Sequence, residues 1–83
     1  MNQFSDKYYL QIQQTMGGRS TGFTLPRLAA LDDEPELTES DITHAEYHAD
    51  MAGKAGTFEV GYYDVNLYEY YDTEPVDTQH LML

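Results

Sequence analysis

The chain has 83 residues, with fifteen Asp and Glu against four Lys and Arg, no cysteine, and a formal net charge of −11. One small domain, 1–83, is the expectation, and such a volume does not hold a deep catalytic cavity together with a full core. Disulfide staples and thiolate metal ligands are excluded, so a core drawn from 41% apolar residues and eight tyrosines has to hold the fold.

No apolar run approaches a membrane span, and the opening MNQFSDKYYL lacks the basic-then-apolar order of a leader. A soluble cytoplasmic protein is expected. The aromatic content is too high and too regular for a disordered chain. In chain order, SDKYYLQIQQTMG (5–17) fits two templates. As a helix it is capped by Ser5, gathers Tyr8, Tyr9, Ile12 and Met16, and stops at Gly17. As a strand it alternates Tyr8, Leu10 and Ile12 with Lys7, Tyr9 and Gln11. RSTGFTL (19–25) reads as a strand after the Gly17-Gly18 break, and PRLAAL (26–31) as a short helix with Pro26 in its first turn. DDEPELTES (32–40) is an acidic loop.

From Asp41 a period of two sets Ala45, Tyr47 and Ala49 against His44, Glu46, His48 and Asp50. After the loop MAGKAG (51–56), strands are expected over 57–64 and 67–73, with a tight turn at Asp64–Asn66. EPVD (74–77) turns the chain into a last strand, TQHLML (78–83). The fold class is α+β, with an antiparallel five-stranded sheet and two short helices.

DITHAEYHAD (41–50) invites a metal reading. The zinc-protease pattern needs a glutamate directly after the first of two histidines on a helix. Here Glu46 lies midway, and four residues of strand would hold His44 and His48 roughly 13 Å apart. Rings bound to one zinc lie about 2.0–2.1 Å from it, so no metal is assigned. No nucleophile elbow or phosphate-binding glycine loop occurs, no acid/base pair can be nominated, and the chain reads as non-enzymatic with no cofactor. A tyrosine platform for nucleic acid would need a basic groove, which is missing.

What stands out is the charge. Between Arg27 and Lys54 lie Asp32, Asp33, Glu34, Glu36, Glu39, Asp41, Glu46 and Asp50, and nothing cationic follows Lys54 except histidine. Such a surface repels nucleic acid and anionic membranes and attracts basic partners. Generic solubility or adaptation to salt accounts for charge of this kind as well. A train of fixed carboxylates can also substitute for phosphates in the groove of a DNA-binding enzyme.

Four short stretches carry a resemblance. They are the opening MNQFSD with its Ser5-Asp6 pair, Leu25-Pro26, ESDI (39–42) followed by THAEY, and the final HLML. Through them the chain resembles the phage-encoded uracil-DNA glycosylase inhibitors, a family of small acidic DNA mimics. The resemblance implies two helices and five antiparallel strands, and it favours the helical option for 5–16. It further implies one protein partner, a uracil-DNA glycosylase bound 1:1 through its basic DNA groove, without direct contact to nucleic acid or membrane.

In that family a Glu-Ser pair on the first strand sits near the enzyme's active-site mouth, and a cavity between helix and sheet receives an apolar side chain. By position the pair falls on Ser20 and Thr21; the glutamate is missing and Arg19 lies beside it. The family's second helix bears glutamates where this chain has Leu28 and Leu31, with the acids following as Asp32, Asp33, Glu34 and Glu36. Glu39, Ser40 and Asp41 match. Leu28 and Leu31 with Phe58 and Val60 are candidates for the cavity, or for core. Two other readings stand beside this one: an anti-CRISPR or anti-restriction mimic with another target, and an acidic adaptor or immunity-type module.

Overall fold

The computed structural model describes residues 3–83, so Met1 and Asn2 of the MNQFSD opening lie outside the described residues. The architecture is α+β: a four-stranded antiparallel sheet with one α-helix and a 3-10 turn. The expected five strands and two helices are corrected on both counts.

Strand β1 (Phe4–Met16) settles the ambiguous first segment as extended chain. Tyr8, Leu10, Ile12 and Gln14 are buried on one face, whereas the alternate residues stay partly exposed. A helix would have split this set, because positions two apart point away from each other on a helix. Ser5 Oγ accepts from the backbone N–H of Lys7 (2.9 Å) and of Tyr8 (3.0 Å), at the irregularity between Phe4 and Tyr9 where the register with β2 shifts. Gly17 and Gly18, at φ +60° and +80°, make the two-residue turn into β2 (Arg19–Leu28). That turn needs left-handed backbone at both central positions, which glycine adopts without steric cost.

β2 runs through Pro26, so the short helix expected over 26–31 shrinks to a 3-10 turn at Ala29–Leu31. β2 is an edge strand, where the missing proline N–H is tolerated. The acidic loop then leads to α1 (Glu39–Lys54), which replaces the strand expected from Asp41. Thr38 and Asp41 form a reciprocal cap, each side chain taking the other's backbone N–H. Asp41, Ala45 and Ala49 are buried four apart, while Tyr47 is 62% exposed. Spacing of four fits both periods, and the outward Tyr47 is what distinguishes them.

β3 (Tyr62–Glu69) is continuous through the turn expected at Asp64–Asn66. Asn66 is held inside the sheet: its Nδ2 donates to Gln11 Oε1 (3.2 Å) and its Oδ1 accepts from Thr78 Oγ1 (2.7 Å). β4 (Asp77–Met82) closes the sheet close to the expected position. Strand order is β2-β1-β3-β4, all antiparallel, with Ile12 opposite both Phe23 and Val65.

α1 covers one face of this sheet. Between them Leu10, Ile12, Leu25, Ala45, Ala49, Phe58, Val65 and Leu67 form one core. Burying each of the larger aliphatic side chains contributes about 1.5–3 kcal/mol. The opposite face is uncovered and carries Tyr9, Gln11, Thr24, Pro26, Asn66, Tyr68 and Thr78 by the period-two alternation. Among the described residues no helix is long and apolar enough to cross a membrane.

Candidate functional site

The antiparallel pairing brings distant acids to one end of the molecule. β1 starts where β2 ends, because Phe4 pairs with Leu28. β3 ends there too, with Glu69 opposite Tyr8, and β4 begins there, with Asp77 opposite Leu67. Leu37 N–H donates to Asp77 Oδ2 at 2.8 Å, tying the loop before α1 to the same end. Asp6, Asp32, Asp33, Glu34, Glu36, Glu39, Glu69, Asp72, Glu74 and Asp77 therefore share one pole of a body 38 × 24 × 18 Å in extent. These are ten of the chain's fifteen acids.

Arg27 organises the pole from within. Its side chain is fully buried and lies 5.0 Å from the Tyr8 ring centroid. Nη2 donates to Asp41 Oδ2 (2.9 Å), and Nε reaches both carboxylate oxygens (3.2 Å each). The remaining donors take the carbonyls of Glu34 (2.7 Å) and Glu36 (2.9 Å). A guanidinium presents five N–H groups in a rigid fork, and this one fixes a loop and a helix start together. The cation that precedes the acidic run in sequence is a strut beneath it.

Two other cations lie at the far pole and are partnered: Arg19 with Glu59 (2.7 Å) and Lys54 with Asp50 (3.2 Å). Lys7 accompanies the acids at the surface of their pole, its ammonium 5.1 Å from the Tyr8 ring centroid. α1 points its N-terminus at the acidic pole, with Glu39 and Asp41 in the first turn and Lys54 in the last. The helix dipole favours that arrangement and offsets some of the repulsion among the carboxylates.

The sequence-derived contacts separate into groups. Asp32, Asp33, Glu34, Glu36, Glu39 and Ser40 stand together at the acidic pole, whereas Asp41 is 3% exposed and spends its carboxylate on Arg27 and Thr38. Ser20 and Thr21 lie at the opposite end of β2, where Ser20 meets Thr15 (3.1 Å) and Thr21 donates to the Thr57 carbonyl (3.3 Å). The four apolar candidates do not form one cavity. Leu28 is half-exposed beside the 3-10 turn that holds Leu31, Phe58 is core, and Val60 is 82% exposed beyond α1.

A different apolar recess accompanies the acids. Tyr9, Thr24, Leu25, Pro26, Tyr70 and Tyr71 line an open groove of about 530 Å³ where the uncovered sheet face meets the acidic pole. Sequence reasoning treated these tyrosines as packing. The available signal was the run YEYYDTEP (68–75), which interleaves aromatic rings and carboxylates at a turn.

His44 and His48 also require correction. On α1 their ring centroids are 4.8 Å apart, not strand-spaced. Burial is the main cause lowering the His44 pKa from its ordinary value; neighbouring His48 adds to this and Asp41 opposes it. Among the described residues no group of three or more His, Cys, Asp or Glu side chains is placed to hold a metal. No family model, curated protein or solved structure matches the chain.

Proposed function

We propose that the protein is a non-enzymatic inhibitor that inserts its acidic pole into the basic DNA-binding groove of an enzyme, with uracil-DNA glycosylase as the first target. The observation supporting this is the polarity of charge. Carboxylates from three separated segments share one end, and their loop is pinned by a buried arginine instead of being left free. A uniformly charged, salt-adapted surface needs no such gathering. A ligand for a phosphate-binding groove does, because steering and affinity grow with the local density of fixed charge.

The glycosylase comes first through the resemblance carried by Ser5-Asp6, Leu25-Pro26, ESDI and HLML. A second target class is favoured by a specific observation: the chain begins with a β-hairpin, not a helix, and Ser20 and Thr21 lie away from the acids. An anti-CRISPR or anti-restriction mimic uses the same pole against another basic groove. The deciding experiment is a uracil-excision assay on duplex substrate with increasing inhibitor. Near-stoichiometric inhibition, relieved by excess substrate and weakened by salt, supports the first target. Undiminished excision at large excess removes it. Capture from bacterial lysate with elution by duplex DNA then tests the second, and a captured enzyme that DNA does not displace removes the mimic reading.

A further inference from the structure

The tyrosine groove at the edge of the acidic pole has features that the charge reading does not use. Tyr71 is fully exposed, yet its backbone sits at φ +71°, the only non-glycine residue with positive φ among those described. A left-handed conformation is costly for a bulky side chain, and glycine or asparagine is the usual occupant of such a turn. The turn closes through Asp72 N–H to the Glu69 carbonyl at 3.1 Å. A strained aromatic residue thus stands with its ring open to solvent. Backbone strain of this kind points toward a role outside folding.

The ring has organised neighbours. Tyr9 stacks on Tyr68 with centroids 5.4 Å apart and planes 10° from parallel, and it meets Tyr70 at 5.0 Å. Tyr70 in turn lies 6.3 Å from Tyr71. Thr24, Leu25 and Pro26 of β2 complete the lining. Asp72 follows Tyr71 directly and Glu74 stands two residues further on, so two carboxylates of the same turn accompany the groove, whereas Glu69, opposite inward-facing Tyr8, lies on the α1 side.

We propose that this groove is a receptor for an arginine side chain of the basic partner, with the guanidinium lying against Tyr9, Tyr70 and Tyr71 and its N–H groups directed to the flanking carboxylates. This inference rests on the proposed docking of the acidic pole into a basic protein, and it names the side chain that the pole selects. A planar, weakly hydrated guanidinium stacks on aromatic faces and still donates in its own plane, whereas an ammonium is compact and strongly hydrated. A neutral apolar or proline-rich segment would draw nothing from Asp72 and Glu74. The groove therefore discriminates between cations where the rest of the pole only attracts them.

The test measures binding of octa-arginine and octa-lysine peptides of equal charge at physiological salt to the full chain, to Tyr71→Gly and to Tyr70→Leu. A guanidinium over an exposed ring gains about two- to fivefold in affinity, and its planar stacking and weaker hydration make octa-arginine the tighter binder of the full chain. Tyr71→Gly should narrow that preference while raising the midpoint of thermal unfolding, since glycine relieves the left-handed strain. A merely structural tyrosine cannot produce both changes together. Tyr70→Leu, which keeps an apolar wall, should narrow the preference as well. Equal affinity for the two peptides, or a preference that survives both variants, overturns the arginine groove and leaves the acidic pole standing. Absence of binding by either peptide overturns the pole and the groove together.

Discussion

Replacing Arg27 with Met removes the guanidinium that neutralises the buried Asp41 carboxylate and donates to two loop carbonyls. The pair is inside the protein, at 0% and 2% side-chain exposure, so solvent screening does not dilute the loss. Removing one partner of such a pair typically costs about 3–5 kcal/mol, mainly because the other charge stays buried without a partner. A domain of this length has a total stability of roughly 4–12 kcal/mol at the usual ~0.05–0.15 kcal/mol per residue. Arg27→Met is therefore expected to consume a large part of the stability, and to leave the chain partly unfolded at room temperature if the margin is small.

The assay is equilibrium urea unfolding followed by far-ultraviolet circular dichroism and tyrosine fluorescence at neutral pH. An unchanged slope with a lower midpoint marks lost stability and not an altered unfolded state. The double variant Arg27→Met/Asp41→Leu should recover part of the loss, because two apolar side chains can replace a buried ion pair at little cost. Recovery stays incomplete, since Asp41 also caps α1 and a lost cap costs about 1 kcal/mol. A loss below about 1 kcal/mol for Arg27→Met, in the range of an exposed ion pair, would refute the role given to this arginine.

Further expectations concern the sheet, the loop before β3 and the helix. In Gly22→Ala the new Cβ would lie 2.5 Å from the Ile12 carbonyl oxygen, and backbone on both sides cannot yield, so a loss of about 1–3 kcal/mol should appear in the same unfolding assay. Gln14→Leu strands the Glu59 N–H and carbonyl that the buried amide now satisfies at 2.9 and 2.7 Å. A cost of about 1–3 kcal/mol is expected, with faster amide exchange across 57–61 as the local signature. His44 has its folded pKa below the ordinary value of 6.5, so the native state favours the neutral ring. Its contribution is fully present above pH 6.5 and is lost as pH falls through the lowered folded value. Thermal midpoints between pH 7 and 5 should fall less steeply for His44→Gln than for the parent, and parallel curves would contradict the assigned direction.

Much of the local structure was legible where one residue type forces one conformation. Gly17-Gly18 announces the first hairpin, DDEPELTES announces a loop, and the final strand lies close to its expected position. The errors fall where two periods share positions. Tyr8, Leu10 and Ile12 suit a strand while Tyr8, Ile12 and Met16 suit a helix, and the choice came from the partners waiting on both sides of β1. Asp41, Ala45 and Ala49 suit either period, and the cap at Thr38 together with exposed Tyr47 decided for the helix. Asn66 resembled a turn residue because its partners, Gln11 and Thr78, are distant in sequence.

The amount of charge, the lack of any disulfide and the need for a single small core all follow from the residues alone. Where that charge goes is a matter of the folded chain. Antiparallel pairing places the starts of β1 and β4 beside the ends of β2 and β3, so acids dozens of residues apart become neighbours. Burial of Arg27 likewise makes one of four cations the anchor of the acidic loop. Composition is a sum over residues, whereas an electrostatic pole depends on distances that strand register and helix direction set.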